Sequence, residues 1–205
     1  MKLKVCGLSR PIEVETCVKN NVNFCGFILN FSKSHRYISY EKAKNLLNIN
    51  KNEVKFVGVL VQPSLDELEK FSKLNLDYFQ LYGQYDSKSL IDIRKKFQKK
   101  IITTIQVKNK IDIENYKIVE DGSDIILWDS TGYEKSVGWN HSWIKDIKIK
   151  GEKMIAGNIT KDKLSDLSKL ADIVDVSGAL ETNKVKDIDK IKEFITHVKK
   201  INNEN

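Results

Sequence analysis

The segment VKFVGVLVQPSLDELEKFSKLN, residues 54–75, decides the fold because it contains one complete strand–loop–helix unit. Its first part, 54–61, is a nearly continuous apolar run, which is typical of a strand covered on both faces in a parallel sheet. Its second part, 64–75, opens with Ser64, a favourable helix N-cap. Apolar residues then recur at three-residue steps and form one helical stripe: Leu65, Leu68, Phe71 and Leu74. The segment predicts a buried strand followed by a surface helix.

The same unit recurs eight times along the 205 residues. The apolar runs that predict strands are 3–6, 24–31, 54–61, 77–83, 99–107, 124–130, 153–157 and 172–178. The segments that predict helices are 11–20, 40–49, 64–75, 86–97, 111–122, 142–149, 160–171 and 185–200. Eight units of about 25 residues favour an α/β fold, a single (β/α)8 TIM barrel with eight parallel strands, minimal insertions and one domain over residues 1–205.

An open doubly wound sheet is the alternative architecture for alternating strands and helices. Dinucleotide-binding folds of that type carry a G-x-G-x-x-G turn after the first strand. Here the first predicted strand is followed by Gly7 alone. The closed barrel is therefore the preferred interpretation.

The chain carries a formal net charge of +7, which suits either a nucleic-acid partner or a small anionic substrate. The lysines alternate with acidic residues, as in KDKLSDLSK (161–169), and aromatic residues do not interleave with a basic stripe. Most of the lysines are therefore expected on solvated helix surfaces. A small phosphorylated substrate is favoured over nucleic acid.

The sequence shows neither a signal peptide nor an apolar run of about 18 residues, so we expect a cytoplasmic protein without a membrane partner. The three cysteines form no C-x-x-C pair, and the three histidines are scattered. These spacings predict neither a disulfide framework nor a metal site. No cofactor is expected.

Two residues at the ends of predicted strands carry candidate catalytic groups. Cys6 ends the first strand, where it is either a small core residue or a reactive thiol. Asp129 ends the apolar run DIILWD, where burial would raise the pKa of its carboxyl and allow it to act as a general acid. An Asx turn is the alternative for Asp129. In a parallel barrel both residues reach the face where chemistry occurs.

The segments IAGN and VSGA place small residues directly after the seventh and eighth strands, at Gly157, Asn158, Ser177 and Gly178. In this fold, backbone N–H groups at those positions commonly bind phosphate. Arg36 lies in the loop after the second strand, where its guanidinium can hold a carboxylate through two hydrogen bonds. A surface arginine and simple turn glycines are the alternatives.

The chain resembles the phosphoribosylanthranilate isomerase family over essentially its whole length. The resemblance rests on the order of its strand-end motifs: KVCGL (4–8), GFILNFSKSHRYIS (26–39), FVGVLV (56–61), FQLYG (79–83), ILWDS (126–130), IAGNIT (155–160), VDVSGALE (174–181) and VKD (185–187). Together these motifs are specific, although each alone is weak.

The resemblance implies a cofactor-independent aldose–ketose isomerase of tryptophan biosynthesis. The implied reaction is the Amadori rearrangement of N-(5-phosphoribosyl)anthranilate to 1-(2-carboxyphenylamino)-1-deoxyribulose 5-phosphate, by a monomer or homodimer. It implies that Cys6 is the general base, Asp129 the general acid and Arg36 the residue that receives the anthranilate carboxylate. The implied substrate contacts also include Gln80, Gly138, Gly157, Asn158, Ser177 and Gly178.

Several positions depart from the family pattern. A glycine pair becomes Gly157-Asn158, Ser-Ser-Gly becomes Ser177-Gly178-Ala179, and a histidine common in the fourth strand motif becomes Tyr82. The loop of 131–143 keeps Gly138 and Trp143 but has fewer glycines. These changes leave two alternatives open: an inactive barrel that serves as a binding module, and a different phosphosugar isomerase or epimerase.

Overall fold

The computed structural model describes residues 1–131 and 138–204. Eight parallel strands close into a barrel in chain order: β1 (Lys2–Cys6), β2 (Phe24–Ile28), β3 (Lys55–Val61), β4 (Tyr78–Tyr82), β5 (Lys100–Val107), β6 (Ile125–Ser130), β7 (Glu152–Ile155) and β8 (Ile173–Val176). Strand β1 pairs with β8, with Lys4 opposite Asp175, and this pairing closes the sheet. The predicted eight-stranded parallel barrel is confirmed.

Helices connect the strands on the outside. The α-helices are α1 (Pro11–Lys19), α2 (Tyr40–Leu47), α3 (Leu65–Ser72), α4 (Ser87–Phe97), α5 (Tyr116–Val119), α6 (Leu164–Leu167) and α7 (Ile188–Glu204). The 3₁₀ helices are Lys110–Asn115, Glu120–Gly122, His141–Ile144, Lys161–Lys163 and Gly178–Leu180. After β8, a short antiparallel pair forms between β9 (Glu181–Thr182) and β10 (Val185–Lys186).

The predicted helix over 142–149 is wrong. Between residue 138 and β7, the structure has only the 3₁₀ turn His141–Ile144. The buried residues Ile144 and Ile147, three positions apart, are joined by a separate turn, in which the Ile147 N–H donates to the Ile144 carbonyl at 3.2 Å, so no α-helix is needed to bury both. The same spacing in 160–171 produces a 3₁₀ turn followed by the single-turn helix α6.

Helix α3 begins as the sequence predicts. Ser64 Oγ accepts a hydrogen bond from the Glu67 backbone N–H at 3.1 Å, and Glu67 Oε2 accepts one from the Ser64 N–H at 2.9 Å. This reciprocal capping box satisfies two N–H groups at the start of the helix. Leu68, Phe71 and Leu74 are buried as expected, but Leu65 is 61% exposed. Leu65 is the first residue of α3 and does not belong to the buried stripe of this helix.

The inside of the barrel has two parts. The lower interior, at the amino ends of the strands, is apolar: Phe24, Val57, Tyr78, Ile102, Ile125, Leu127, Met154 and Ile173. The upper interior, toward the carboxyl ends, packs Val59 against Cys6 and Tyr82 and contains the polar interior groups: Lys4, Cys6, Gln80, Tyr82, Thr104, Asp129 and Asp175. On β4, β5, β6 and β8, which contribute to both sets, the members stand at alternate positions, because side chains of a strand alternate between its two faces. The opposite faces pack against the helices in the main core.

Across residues 1–131 and 138–204, no helix combines the length and apolar character needed to cross a membrane.

Candidate active site

A cavity of about 330 Å³ opens at the carboxyl ends of the barrel strands. This volume lies within the usual range for small-molecule sites, about 300–1,000 Å³. Seven of the nine residues predicted to form the site line it: Cys6, Arg36, Asp129, Gly157, Asn158, Ser177 and Gly178. The cavity therefore brings together side chains from opposite ends of the sequence.

Cys6 is the last residue of β1 and lies at the floor of this cavity, with 8% of its surface exposed. On neighbouring β2, a methyl group at Gly26 would lie 2.9 Å from Cys6 Sγ and 3.1 Å from Lys4 Nζ. Gly26 thus leaves room for the thiol and the ammonium group to approach each other. Two residues before Cys6 on the same strand face, Lys4 points into the same interior.

Lys4 is fully buried and its Nζ lies 2.8 Å from Asp175 Oδ2. Burial by itself would lower the pKa of Lys4, but the charges of Asp175 and Cys6 and their hydrogen bonds raise it above its usual value. Lys4 is therefore a cation. Burial raises the pKa of the Cys6 thiol, and the charge of Lys4, together with a hydrogen bond from it, opposes that rise. Lys4 thus favours the thiolate, and the charge of Lys186 acts in the same direction.

Asp129 occupies the cavity end of β6. Its Oδ1 accepts the Ser130 backbone N–H at 2.7 Å, and its Oδ2 accepts the Tyr82 hydroxyl at 2.8 Å. Burial raises the pKa of Asp129 to about 6, although both hydrogen bonds favour the ionised carboxylate. Roughly a tenth of the carboxyl groups therefore keep their proton at neutral pH. Asp129 can serve as a proton donor there.

Gln80 departs from its predicted place. It is fully buried in β4, one inward position below Tyr82, and it does not appear among the residues that line the cavity. Its Nε2 lies 3.3 Å from the Tyr82 hydroxyl. Gln80 therefore lies behind Tyr82 in this structure, and its contact with substrate stays a prediction. The reason for this position is the strand alternation, which points Gln80 and Tyr82 inward at different heights.

Arg36 stands at the cavity mouth and is held by a carboxylate of the chain itself. Its Nε lies 2.5 Å from Glu181 Oε1 and its Nη2 lies 2.9 Å from Glu181 Oε2. Lys186 pairs with the same carboxylate. Burial would raise the pKa of Glu181, but the hydrogen bond from Arg36 and the charge of Lys186 lower it to about 2. Gly7 (φ +78°) makes room for Arg36, because a methyl group there would collide with Arg36 Cδ.

The loops after β7 and β8 form another part of the wall, and the loop after β8 adjoins Arg36, because a methyl group at Gly178 would lie 3.6 Å from Arg36 Nη2. Gly157 has φ +91°, and a methyl group there would lie 3.0 Å from the indole Nε1 of Trp139. Asn158 has φ +52°, in the left-handed region that asparagine enters more readily than most residues. Lys163 Nζ donates to the Asn158 carbonyl at 3.2 Å and brings positive charge to this loop. After β8, Ser177 Oγ donates to the Cys6 carbonyl at 2.9 Å.

Gly138 lies beside this wall, because a methyl group there would be 3.4 Å from Asn158 Nδ2. The predicted glycine-rich loop of 131–143 is only partly described, and residues 132–137 lie outside the described residues. Among the residues that are described, no group of three or more His, Cys, Asp or Glu side chains is arranged to hold a metal ion.

Comparison with known proteins identifies the family of this chain. The sequence profile of "N-(5'phosphoribosyl)anthranilate (PRA) isomerase" matches residues 3–197. The chain belongs to this family. The phosphoribosylanthranilate isomerase of Streptococcus mutans is 34% identical, over 97% of this chain and 99% of the relative. The resemblance inferred from the strand-end motifs is thereby confirmed.

Solved structures of phosphoribosylanthranilate isomerases have the same fold. Monomers derived from the dimeric enzyme of Thermotoga maritima superpose with a TM-score of 0.81 at 25% identity, covering 98% of this chain and 99% of that one. A second isomerase, crystallised with reduced 1-(o-carboxyphenylamino)-1-deoxyribulose 5-phosphate, gives a TM-score of 0.77 at 26% identity with the same coverage. Phosphoribosylanthranilate isomerases are aldose–ketose isomerases of tryptophan synthesis.

Sequence reasoning missed the polar partners of the site. Lys4 and Asp175 each interrupt an apolar strand, and each stands two positions before a predicted site residue. That alternation is a usable signal, because residues i and i+2 share a strand face. Glu181 and Lys186 belong to the short β9–β10 pair, and no periodic pattern in the sequence indicates their contact with Arg36.

Proposed function

We propose that this chain catalyses the Amadori rearrangement of N-(5-phosphoribosyl)anthranilate, with Asp129 as general acid and Cys6 as general base. One observation carries the proposal: a thiol from β1 and a carboxyl from β6 line the same cavity at the catalytic face of the barrel. The product is 1-(2-carboxyphenylamino)-1-deoxyribulose 5-phosphate. The reaction makes the chain an intramolecular oxidoreductase of the aldose–ketose isomerase type.

Asp129 performs the first step, the opening of the ribose ring. It transfers its proton to the ring oxygen while the bond from that oxygen to C1 breaks and its electron pair moves to oxygen. The lone pair of the anthranilate nitrogen then forms the C1=N iminium. The pKa of about 6 supports this role, because a buried carboxyl with that value retains protons near neutral pH.

Cys6 performs the second step as a thiolate. It removes the proton from C2, whose electron pair forms the C1=C2 bond and neutralises the iminium nitrogen. Return of a proton to C1 and loss of the proton from the C2 hydroxyl then produce the amino ketone, so substrate and product have the same atoms. The buried cation of Lys4 supports this role because it stabilises the negative sulfur in a low-dielectric site.

Two groups of contacts hold the ends of the substrate. The loops after β7 and β8, at Gly157, Asn158 and Gly178, receive the phosphate through backbone N–H groups. Arg36, from the loop after β2, receives the anthranilate carboxylate at the cavity mouth. Its pairing with Glu181 fixes the guanidinium in place, so little side-chain freedom is lost when substrate binds.

Acid–base chemistry of this kind requires neither metal nor organic cofactor. It does require a reduced Cys6, and the three cysteines are free thiols in the structure. A reducing compartment, the cytoplasm, therefore fits the proposed reaction. We propose that the enzyme acts as a monomer or homodimer on this one small phosphorylated substrate, without nucleic acid.

The test is an assay of the purified wild-type protein with phosphoribosylanthranilate, in which consumption is followed as loss of anthranilate fluorescence. Cys6→Ala and Asp129→Asn should each lower kcat by about 100-fold to 10,000-fold, the usual contribution of a general acid or base. Cys17→Ala is the matched control, because Cys17 is a buried cysteine of α1 that does not line the cavity. It should retain turnover.

Each alternative function predicts a different result of this assay. A wild-type protein that binds the substrate without consuming it would be a binding module. A protein that neither binds nor consumes it, but isomerises another phosphosugar, would have a different substrate. Normal turnover in either the Cys6 or the Asp129 variant would refute the role of that residue.

A further inference from the structure

Tyr82 contacts Asp129, the proposed general acid, directly. No pattern in the sequence indicates this contact. The residue ends β4, lines the cavity and is 9% exposed. Its hydroxyl lies 2.8 Å from Asp129 Oδ2 and 3.3 Å from Gln80 Nε2. Burial, together with the charge of Asp129, raises the pKa of Tyr82 well above its usual value. The phenol therefore keeps its proton throughout the working pH range.

The hydrogen bonds of Asp129 restrict where its own proton can lie. Oδ1 faces the backbone N–H of Ser130 at 2.7 Å, and an amide can only donate. The Ser130 hydroxyl lies 3.4 Å from Oδ1, whereas the Tyr82 hydroxyl lies 2.8 Å from Oδ2 and can also accept, so Oδ2 is the favoured carrier of a proton on Asp129. A hydroxyl can donate one hydrogen bond and accept two. Tyr82 can therefore donate to Oδ2 when Asp129 is ionised and accept from Oδ2 when Asp129 is protonated.

Gln80 is the second hydrogen-bond partner of the Tyr82 hydroxyl. It is fully buried, and within the described part of the chain its Oε1 has no hydrogen-bond partner. When Tyr82 donates to the carboxylate, the Gln80 amide nitrogen faces the phenol oxygen. Rotation of the amide by half a turn exchanges its nitrogen and oxygen. Oε1 can then accept the phenol hydrogen, and Gln80 makes one hydrogen bond in either orientation.

We propose that Tyr82 is a positioning residue whose hydroxyl donates to the Asp129 carboxylate and accepts from the Asp129 carboxylic acid, while Gln80 turns to match. The inference rests on the proposed role of Asp129 as general acid. In the reaction, substrate draws the Oδ2 proton toward the ring oxygen, and Tyr82 then donates to Oδ2 as negative charge forms there. The bond thus strengthens as the proton leaves.

The pH dependence of kcat/KM reports this contact. The active form holds a proton on Asp129 and none on Cys6. Because Asp129 is the stronger acid, this form is a small, constant fraction of the singly protonated enzyme, which dominates between the pKa of Asp129 and the higher pKa of Cys6. The acidic limb of the profile therefore follows Asp129 at about pH 6. Tyr82→Phe removes a donor to the carboxylate, so we expect this limb to move upward by about one pH unit. We also expect kcat to fall more than KM changes.

Incorporation of 3,5-difluorotyrosine at position 82 provides the opposite perturbation. The fluorinated phenol is a stronger donor, so it should move the acidic limb below that of the wild type. Gln80→Met removes the amide that polarises the phenol, and should move the limb upward by less than Tyr82→Phe does. A purely structural role of Tyr82 would not shift the limb in two opposite directions with donor strength.

A second measurement needs no turnover. The ¹³C NMR titration of carboxyl-labelled aspartates, with the Asp129 signal assigned by its loss in Asp129→Asn, should show a higher pKa in Tyr82→Phe. Tyr78→Phe is the matched control, because Tyr78 faces inward on the same strand in the lower interior. It should leave this titration unchanged. An Asp129 titration identical in Tyr82→Phe and wild type would overturn the inference, even if the enzyme is fully active. An inactive wild type with the shifted titration would instead refute the proposed function while supporting the contact.

Discussion

The lower and upper interior of the barrel are built on the same strands but differ in chemistry. In the lower interior, Ile102 and Met154 belong to a fully buried apolar cluster. In the upper interior, Lys4 and Asp175 form a buried ion pair beneath the cavity. Within the described chain, the buried side-chain polar atoms without a hydrogen-bond partner are Oε1 of Gln80, Oγ1 of Thr104 and Oδ1 of Asp175, and all belong to the upper interior.

This difference separates stability from function within one barrel. Apolar burial stabilises the fold by about 25 cal/mol per Å² and requires no partner of particular geometry. Buried charges and unpaired polar atoms cost free energy, and they are tolerated where they prepare groups for chemistry. We therefore expect substitutions in the upper interior to change activity and pH dependence, and substitutions in the lower interior to change stability alone.

The largest contrast is expected for Lys4→Met. Without the cation beside it, Cys6 should ionise at higher pH, and each unit by which its pKa rises reduces the active one-proton form about tenfold. A nearby opposite charge shifts a pKa by about 1–3 units, so we expect kcat/KM to fall by about tenfold to a thousandfold. The pH dependence of Cys6 alkylation by iodoacetamide measures the shift directly.

The alkylation experiment uses a Cys17→Ala/Cys25→Ala background, in which Cys6 is the remaining cysteine of the sequence. Because Lys4→Met leaves Asp175 buried without its cation, the variant should also lose roughly 3–5 kcal/mol of stability. Thermal melts therefore define the temperature at which it is folded and can be assayed. An unchanged alkylation profile in the folded variant would contradict the role assigned to Lys4.

The next largest effect is expected for Asp129→Asn in the upper interior, as a gain in the free energy of unfolding. The folded pKa of Asp129, about 6, lies above that of an unfolded aspartate, so the folded state binds more protons between the two values. Stability is therefore lost as pH rises from about 4 to 6, and the cost is fully present at higher pH. Asp129→Asn removes the ionisation and should stabilise the protein at pH 7 by roughly 1–3 kcal/mol.

Urea unfolding of both proteins at pH 7 and pH 4 measures this gain. The difference between variant and wild type should disappear at pH 4, where the wild-type carboxyl is protonated in the folded and in much of the unfolded chain. A variant less stable than wild type at pH 7 would show that the carboxylate is not costly in this site.

The smallest effect is expected in the lower interior. Ile102 is fully buried there, and Ile102→Val removes one methylene group. The typical cost of this change is about 0.5–1.5 kcal/mol. Urea unfolding should show that loss, while kcat/KM and its pH profile remain those of the wild type. A displaced acidic or alkaline limb in this variant would mean that the two parts of the interior are not separate.

The sequence by itself determined the order of elements and the ends of the strands. Apolar runs identify the eight strands because strands covered on both faces have no polar side to interrupt them. Cys6 and Asp129 were candidates from their positions, since every strand of a parallel barrel ends on the same face, and the family resemblance implied their roles. The sequence did not determine the type of each helix. Apolar spacing by three fits a 3₁₀ turn and an α-helix alike, and the only helical residues of segment 142–149 belong to a 3₁₀ turn.

Only the tertiary structure decided which groups touch. The pairs Lys4–Asp175, Arg36–Glu181 and Tyr82–Asp129 join residues that are 171, 145 and 47 positions apart. No local pattern encodes such contacts, because they depend on closure of the sheet and on the height of each inward position. The same closure places Gln80 behind the cavity wall and Tyr82 on it. The reactivity proposed for Cys6 and Asp129 depends on these distant partners, since burial and neighbouring charges set the pKa of each group.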